Sequence, residues 1–326
     1  MHRVSVILPA YNAERHIEEA VESILSQTFD DFELIAIDDG STDATRAILE
    51  KIARRDARVR LVSRPNKGLV ATLNEGLLLS RGEYIARMDA DDVSHPERLR
   101  LQVEYLDSNH DVVLLGVRTY PTRRMKWRYV GRSNPRYCSW GLTFRNKIGH
   151  PGVMFRSELI RVHGLRYRED YLYAEDFKLW CEMLDFGKAH VLPQKLLFYR
   201  QHEGSISRQN ALSQLRVDRK IVSENLRRVF RVDMSDIIDA PSRIWIRAMS
   251  ERVFRSPAFH ALPQEDKLAI HQTYQDFCVI YGVGALMDYA RVVGPARLAH
   301  SGIFLPSVIY RAAKHSVFPK PQMHLL

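Results

Sequence analysis

The first 115 residues alternate short apolar runs with segments of helical periodicity, and this alternation constrains the fold more than any other feature. The apolar runs lie at Val4–Leu8, Phe32–Ile37, Val59–Val62, Glu83–Met88 and Val112–Leu115. The helical segments between them cover residues 14–26, 43–54, 69–80 and 96–108. Strands that alternate with helices of this length form βαβ units and a mostly parallel sheet. The near-continuous apolar strands agree, because helices cover both faces of such a sheet.

Beyond residue 116 the rhythm changes. Gly152–Phe155 and Leu196–Arg200 predict two further strands, which flank a helix at residues 175–186. Tyr120–Val130 is basic and aromatic and predicts a strand or a loop edge, and the pattern is helical from Ser207 onward. We therefore expect an α/β fold with a helical C-terminal extension. The predicted regions are 1–115, 116–206 and 207–326.

The composition is that of a soluble or peripheral globular protein. Hydrophobic residues make up 45% and charged residues 27% of the 326 residues, which excludes collagen, low-complexity disorder and a disulfide scaffold. The three cysteines, Cys138, Cys181 and Cys278, are scattered, so we expect a reducing, cytoplasmic environment. No apolar stretch reaches the roughly 18 residues that a membrane-spanning helix needs, and the N-terminus does not resemble a signal peptide.

The net charge of +9 is concentrated in the C-terminal region. Residues 207–326 contain 17 Lys and Arg against 10 Asp and Glu. A basic region of this kind is compatible with nucleic-acid binding, with an anionic membrane surface or with a solvated helical surface. No basic-aromatic nucleic-acid module stands out.

Polar residues follow three of the predicted strands at the points where the strands end. The turns are Pro9-Ala10-Tyr11-Asn12, Asp38-Asp39-Gly40-Ser41 and Asp89-Ala90-Asp91-Asp92. Any single turn of this composition is common on protein surfaces. However, ligands of open parallel sheets bind outside the carboxyl ends of the strands, and all three turns fall at that edge. The shared placement favours a binding site.

Asp89 and Asp91 flank one small residue directly after a predicted strand. Side chains at positions i and i+2 of an extended chain share a face, so both carboxylates can face one cation. Hard oxygen ligands suit Mg²⁺ or Mn²⁺, which usually take further oxygens from a substrate phosphate. We therefore predict a divalent cation at this turn.

Several common catalytic motifs are absent from the sequence. It contains no G-x-G-x-x-G dinucleotide fingerprint, no G-x-x-x-x-G-K-[ST] phosphate loop and no G-x-S-x-G elbow. The sequence therefore lacks the main motifs expected for hydride transfer, P-loop nucleotide hydrolysis or serine hydrolysis.

Residues 4–115 resemble the nucleotide-sugar-binding half of family 2 glycosyltransferases, which adopt the GT-A fold. The matching stretches are VSVILPAYNAERHIEEAVESILSQT, FELIAIDDGSTDAT, RPNKGLVATLNEGLLLSRGEYIARMDADD and HPERLRLQV. Downstream, GHPGVMFR, YLYAEDFKLW and YRQHEGSIS resemble the acceptor-side half and extend the likeness to about residue 208. The resemblance implies an inverting transferase that takes a sugar from a UDP- or dTDP-sugar.

The resemblance assigns the donor and metal roles. Pro9, Tyr11 and Asp39 would hold the base and ribose, with Asn12 in the same turn, and Asn66 and Lys67 would lie beside this pocket. Asp39 suits the imide nitrogen of uracil or thymine. Asp91 would be the direct metal ligand, Asp89 would contact the ribose and metal-bound water, and Asp92 is expected to cap the following segment.

The acceptor side of the resemblance centres on Asp176. Glu175 and Asp176 precede an apolar helical run, where acidic residues also complement the helix dipole. The resemblance makes Asp176 the general base. It places His202 near the metal and diphosphate, His150 at the acceptor cleft, and Arg200 either beside the diphosphate or at a strand edge. Trp180 is expected to face the core.

Two alternatives and a partner hypothesis complete the sequence-based interpretation. A sugar nucleotidyltransferase is a rival enzyme, but the turn after the first strand is not a Gly-rich phosphate loop. A catalytically inactive nucleotide-sugar-binding protein is the second rival, and both acidic motifs argue against it. The acceptor would be a glycan or a lipid-linked glycan. The basic region 207–326 would then hold the enzyme at the inner membrane face, or would form a helical cap or an oligomer surface.

Overall fold

The computed structural model describes residues 2–120, 134–200 and 210–280, together with Ala285, Asp288, Tyr289 and Val292. The chain divides into two compact units. The first contains residues 1–138 and 148–211, and the second contains residues 139–147 and 212–326.

An eight-stranded sheet forms the centre of the described part of the first unit. Its strands are β1 (Val4–Ala10), β2 (Phe32–Asp38), β3 (Val59–Ser63), β4 (Tyr84–Arg87), β5 (Val93–Ser94), β6 (Val112–Tyr120), β7 (Met154–Arg156) and β8 (Lys188–Phe198). Their order is β3-β2-β1-β4-β7-β6-β8-β5. Strands β1 to β4 pair in parallel, as do β6 and β8. Strand β7 is antiparallel to both β4 and β6, and β5 is antiparallel to β8.

Seven α-helices lie between the strands in the described part of the sequence up to residue 183. They are α1 (Ile17–Leu25), α2 (Thr45–Arg55), α3 (Leu69–Leu79), α4 (Arg98–Ser108), α5 (Pro135–Phe144), α6 (Glu158–Arg161) and α7 (Glu175–Met183). Helix α5 runs from the first unit into the second. Every residue of β1 and β2 is buried, as expected for strands covered on both faces. The apolar faces of α1, α2 and α4 pack on these strands in one hydrophobic core.

The described part of the second unit is helical. Its longer elements are α8 (Ala211–Phe230), α9 (Ser242–Phe254), α10 (Pro257–Ala261) and α11 (Gln264–Ile280). The core of this unit is aromatic: Phe254 contacts Phe259 and Tyr274 edge-on, with ring centroids 5.0 and 5.2 Å apart. In the described ranges, no helix has both the length and the apolar character needed to cross a bilayer.

The structure confirms the predicted α/β class with a mostly parallel sheet and a helical extension. The five strands predicted within the first 115 residues all form, each within two residues of its predicted start. The short strand β5 and helices α5 and α6 were not predicted. Strand β8 also begins at Lys188, earlier than the predicted Leu196. Of the segment Tyr120–Val130 only Tyr120 lies within the described residues, at the end of β6.

Candidate active site

The carboxyl ends of β1, β2 and β4 meet at one edge of the sheet. Ala10 at the end of β1 pairs with Asp38 at the end of β2, and Ile7 pairs with Arg87 at the end of β4. The three polar turns therefore leave the sheet side by side, as the sequence predicts. Pro9 is buried within β1, whereas the Tyr11 side chain beyond the strand is 53% exposed.

Hydrogen bonds hold the first two turns together. The Asn12 amide donates to Ser41 Oγ at 3.0 Å, and Asn12 Oδ1 accepts from the Thr42 amide at 2.8 Å. Asn12 has a φ of +47°, a backbone conformation that asparagine tolerates better than most residues. These bonds fix the backbone on either side of the exposed Tyr11 ring.

Asp39 organises the loop at residues 64–68. Its Oδ1 accepts from the Lys67 amide at 2.8 Å, its Oδ2 accepts from the Gly68 amide at 3.0 Å, and its carboxylate pairs with Arg64. The side chains of Asn66 and Lys67 are exposed beside this buried carboxylate. Because a carboxylate has about four acceptor directions, Asp39 keeps one for a further donor.

Three carboxylates converge after β4. Oxygens of Asp89, Asp91 and Asp92 lie within 4.8 Å of one another. Burial, and next the charge of Asp89, raise the pKa of Asp92 to about 8. Burial also raises the pKa of Asp89, and the Asp91 carboxylate adds to that effect. Concentrated negative charge of this kind is the environment that a cation relieves.

The partners of Asp92 differ from the expectation. Its Oδ1 accepts from the Arg200 amide at 2.8 Å, and its buried Oδ2 has no hydrogen-bond partner in the described part of the chain. Helix α4 begins after Glu97 instead. The prediction that Asp92 caps the following segment is therefore wrong: the chain beyond β8 passes over this carboxylate and supplies its donor.

Arg200 lies against the acidic turn. Its Nε donates to the Asp91 carbonyl at 2.8 Å, and its Nη2 pairs with Glu19 on α1 at 2.6 Å. The side chain thus joins α1 to the backbone of the acidic turn. Burial and the neighbouring aspartates also raise the pKa of the adjacent Tyr199 to about 12.

Asp176 and Glu175 occupy the first turn of α7. Asp176 is half-buried, and its Oδ1 accepts from the Phe177 amide at 2.7 Å. The neighbouring Glu175 is buried, and its Oε2 has no hydrogen-bond partner among the described residues. Burial raises the pKa of Glu175 above its ordinary value.

His150 and Tyr167 form a pair beside these acids. His150 Nε2 lies 2.9 Å from the Tyr167 hydroxyl. Burial, reinforced by the positive charge of Arg87, holds the pKa of His150 well below its usual range, so the ring stays neutral. The Trp180 ring is buried and meets the His150 ring edge-on, with centroids 5.7 Å apart. Trp180 therefore faces the core, as predicted.

Tyr167 lies within electrostatic reach of the two acids of α7 and of Asp89 in the aspartate cluster. Burial raises the pKa of its hydroxyl, and the charges of Asp176, Glu175 and Asp89 raise it further. These three carboxylates therefore act on one phenol, although they come from two distant parts of the sequence. The site has acid groups on both sides of a neutral His-Tyr pair.

Several residues of this site were not predicted from the sequence. Arg87 is a buried arginine whose guanidinium contacts Asp89, and a charge within an apolar strand was an available signal. Tyr167 and Tyr199 carried no signal, because nothing local distinguishes them from core tyrosines. His202 lies outside the described residues.

The donor set fits a hard divalent cation. The clustered atoms are carboxylate oxygens, the ligand type that Mg²⁺ and Mn²⁺ prefer. The buried and unpartnered Oδ2 of Asp92 adds an oxygen that nothing in the described chain satisfies.

Comparisons with known proteins point to one family. Residues 5–166 match the family model described as Glycosyl transferase family 2. An uncharacterized glycosyltransferase of Haemophilus influenzae is 34% identical over 235 residues, which are 68% of this chain and 73% of that protein.

Two solved structures share the fold. Residues 1–349 of S. aureus TarS in complex with UDP-GlcNAc align with a TM-score of 0.57 at 21% identity, over 92% of each chain. The mannosyltransferase PcManGT from Pyrobaculum calidifontis in complex with GDP-Man and Mn²⁺ aligns with a TM-score of 0.54 at 18% identity, over 97% of this chain and 87% of that one. From the match to the family model and the identity to the Haemophilus protein, we conclude that this chain belongs to glycosyltransferase family 2 and is a glycosyltransferase.

Proposed function

We propose that this enzyme is an inverting, divalent-cation-dependent transferase that moves a sugar from a UDP- or dTDP-sugar to a hydroxyl of a glycan or lipid-linked glycan. The observation that carries the proposal is the convergence of three aspartates at the edge where β1, β2 and β4 end. The fold likeness to TarS bound to UDP-GlcNAc and to PcManGT bound to GDP-Man and Mn²⁺ supports it.

The donor nucleotide would occupy the turns after β1 and β2. The exposed Tyr11 ring offers an apolar face to a base, and Pro9 and Asn12 hold the backbone of that turn. The remaining acceptor direction of Asp39 suits the imide N–H of uracil or thymine. Guanine presents a different pattern of hydrogen-bond donors at this position. We therefore favour a nucleotide sugar with a pyrimidine base. Asn66 and Lys67 would flank the nucleotide.

The diphosphate would lie at the aspartate cluster. Asp91 and Asp89 would hold the cation, with Asp92 supplying a further oxygen and His202 as a candidate ligand from the sequence. When bound, the cation offsets the negative charge that develops on the leaving nucleoside diphosphate. Arg200 would steady the acidic turn through the Asp91 carbonyl, close to the phosphates.

Asp176 would act as the general base. The Phe177 amide orients its carboxylate, which takes the proton of the acceptor hydroxyl as that oxygen bonds to the anomeric carbon. The bond from this carbon to the diphosphate oxygen breaks on the opposite face, so the configuration inverts. Proton removal by a positioned carboxylate contributes about 10²–10⁴-fold to such a reaction. His150, held neutral, would line the acceptor cleft with Tyr167.

The acceptor would be presented at a membrane surface if it is lipid-linked. Residues 207–326 contain an excess of basic residues, which suits an anionic lipid surface. Each basic residue near such a surface contributes about 1 kcal/mol of binding free energy. Co-sedimentation with anionic and neutral vesicles tests this part of the proposal. Equal pelleting with both vesicle types, or none, would remove it.

A donor panel tests the main proposal. The melting temperature is measured with UDP-, dTDP- and GDP-sugars, each with Mn²⁺ and with EDTA, because a bound ligand stabilises the folded state. We expect selective stabilisation by a UDP- or dTDP-sugar with Mn²⁺. Stabilisation by GDP-sugars alone, or an EDTA-resistant response, would contradict the proposal.

A further inference from the structure

A second concave surface lies at the opposite edge of the sheet in the first unit. The groove has a volume of about 490 Å³ and its charged lining consists of four arginines and two glutamates, Arg3, Arg81, Arg156, Arg161, Glu83 and Glu158. It lies where β1 and β4 begin and where the antiparallel β7 ends. The aspartate cluster follows the other end of β4, so the two sites do not share residues.

Backbone carbonyls fix two of these guanidinium groups. Arg156 donates from Nε to the Val112 carbonyl at 3.1 Å and from Nη2 to the Leu106 carbonyl at 2.7 Å. Arg161 donates from Nη2 to the Gly82 carbonyl at 2.8 Å. In both residues Nη1 makes no hydrogen bond within the described chain. Both guanidinium groups are therefore held in place, and each keeps its Nη1 edge available for a ligand. Because the side chains are already ordered, binding costs less conformational entropy.

The charge of the groove is unbalanced. Arg3 is neutralised, because it pairs with Glu83 at 2.9 Å and with Asp107 at 2.8 Å. Arg81, Arg156 and Arg161 have no carboxylate within ion-pair distance among the described residues, although the charge of Asp107 also acts on Arg156. The four arginines face three carboxylates, Glu83, Glu158 and Asp107, which leaves an excess of one positive charge. Anchored arginines that keep N–H groups available suit the oxygens of a phosphate group.

We propose that this groove binds a phosphate-bearing ligand at a site separate from the donor site. The Arg156 and Arg161 guanidinium groups receive the phosphate oxygens, and the exposed Arg81 adds a third positive charge. A volume of about 490 Å³ falls within the range of ordinary small-molecule sites, roughly 300–1,000 Å³. The phosphate can belong to a soluble metabolite or to a lipid headgroup, since the recognising chemistry is the same.

Calorimetric titration of the full chain with inorganic pyrophosphate in EDTA tests the proposal. EDTA removes divalent cations, so the donor site does not contribute metal-bridged binding. Arg81→Ala removes a side chain that makes no hydrogen bond to another described residue, and Arg60→Ala removes an exposed arginine on β3 as its matched control. We expect saturable binding that Arg81→Ala weakens about tenfold and that Arg60→Ala leaves within about twofold.

A vesicle arm distinguishes the two sources of phosphate. Flotation with phosphatidylglycerol and phosphatidylcholine vesicles is compared for the wild-type chain and Arg81→Ala, with and without pyrophosphate. If the chain binds phosphatidylglycerol vesicles, and if both Arg81→Ala and added pyrophosphate weaken that binding, the ligand is a lipid headgroup. If the chain binds pyrophosphate but its vesicle binding does not respond in this way, the ligand is a soluble phosphate. The proposal is overturned if pyrophosphate does not saturate, or if Arg81→Ala and Arg60→Ala bind it alike.

Discussion

The buried guanidinium of Arg87 contacts the carboxylate of Asp89, whereas its Nε and Nη1 have no hydrogen-bond partner among the described residues. The last residue of β4 thus places a positive charge directly beneath the aspartate cluster. The same charge helps to keep His150 neutral. In the absence of a cation, Arg87 is the main protein group that balances Asp89.

Arg87→Met should destabilise the protein and make its stability depend on metal. Removing one partner of a buried ion pair leaves the other charge uncompensated, at a cost of about 3 kcal/mol. Urea unfolding in EDTA should show this loss, and Mn²⁺ should recover more stability in the variant than in the wild type. Arg60→Met, which changes an exposed residue of β3, is the control. Equal responses of Arg87→Met and wild type to Mn²⁺ would refute this account of the pair.

Asp91→Ala should abolish metal-dependent donor binding. The variant loses one of the three clustered carboxylates, and with it much of the charge that attracts the cation. Binding of the preferred nucleotide sugar is measured by calorimetry with Mn²⁺ and with EDTA. Asp31→Ala, which removes an exposed aspartate near the N-terminus, should bind like the wild type. A metal site elsewhere is indicated if Asp91→Ala retains the Mn²⁺ effect.

Asp176→Asn should separate donor binding from transfer. The amide keeps the shape of the side chain but cannot accept a proton, so turnover should fall by at least about 10²-fold. The Kd of the donor should stay within about twofold, because the proposed mechanism assigns Asp176 to the acceptor hydroxyl. Steady-state kinetics with Asp170→Asn, an exposed aspartate, as control provides the comparison. Unchanged turnover would mean that another group is the base.

Gly40→Ala should cost more binding free energy for the donor nucleotide sugar than it costs free energy of unfolding. Gly40 has a φ of +74°, and an added Cβ would come within 2.6 Å of the Asn66 backbone nitrogen. Gly164 has a similar φ of +67° but no atom within 4 Å of such a Cβ. Both alanine variants therefore carry backbone strain of about 1 kcal/mol, and only Gly40→Ala displaces the loop at residues 64–68. Similar donor affinities for the two variants would count against a role of this loop.

Acid should destabilise the fold through His190. Burial lowers the pKa of His190, which stacks on Tyr105, so the unfolded chain binds its proton first as the pH falls below about 6.5. The stability that the neutral ring contributes is present above this pH and is lost on acidification, by at most about 1.4 kcal/mol per pH unit.

Comparison of variants isolates this effect. Asp92, with its pKa raised to about 8, titrates with the opposite sign, so the whole stability curve mixes both groups. Between pH 7 and pH 5 the wild type should therefore lose stability relative to His190→Gln, because only the wild type carries the destabilising protonation of His190. The exposed His110→Gln should follow the wild type. Parallel curves for all three proteins would disprove the assignment.

The sequence by itself determined the alternation of strands and helices and the turns that carry Tyr11, Asp39 and Asp91. These features depend on nearest neighbours: apolar β-branched runs favour strands, and Asp, Asn and Gly favour turns. Because parallel strands end at the same edge, even the convergence of the three turns followed from the pattern. Helix α5 and the two-residue strand β5 escaped prediction, because they are stabilised by tertiary contacts rather than by a strong local preference.

Only the tertiary structure decided which groups surround the acids. Asp92 receives its donor from Arg200, 108 positions later in the chain, and Tyr167 lies among carboxylates from two distant segments. Strand β7 lies antiparallel between β4 and β6, and His150 just before it comes within reach of the charge of Arg87 at the end of β4. Contacts of this kind leave no periodic trace in the sequence, since their free energy depends on burial and distance in the folded chain.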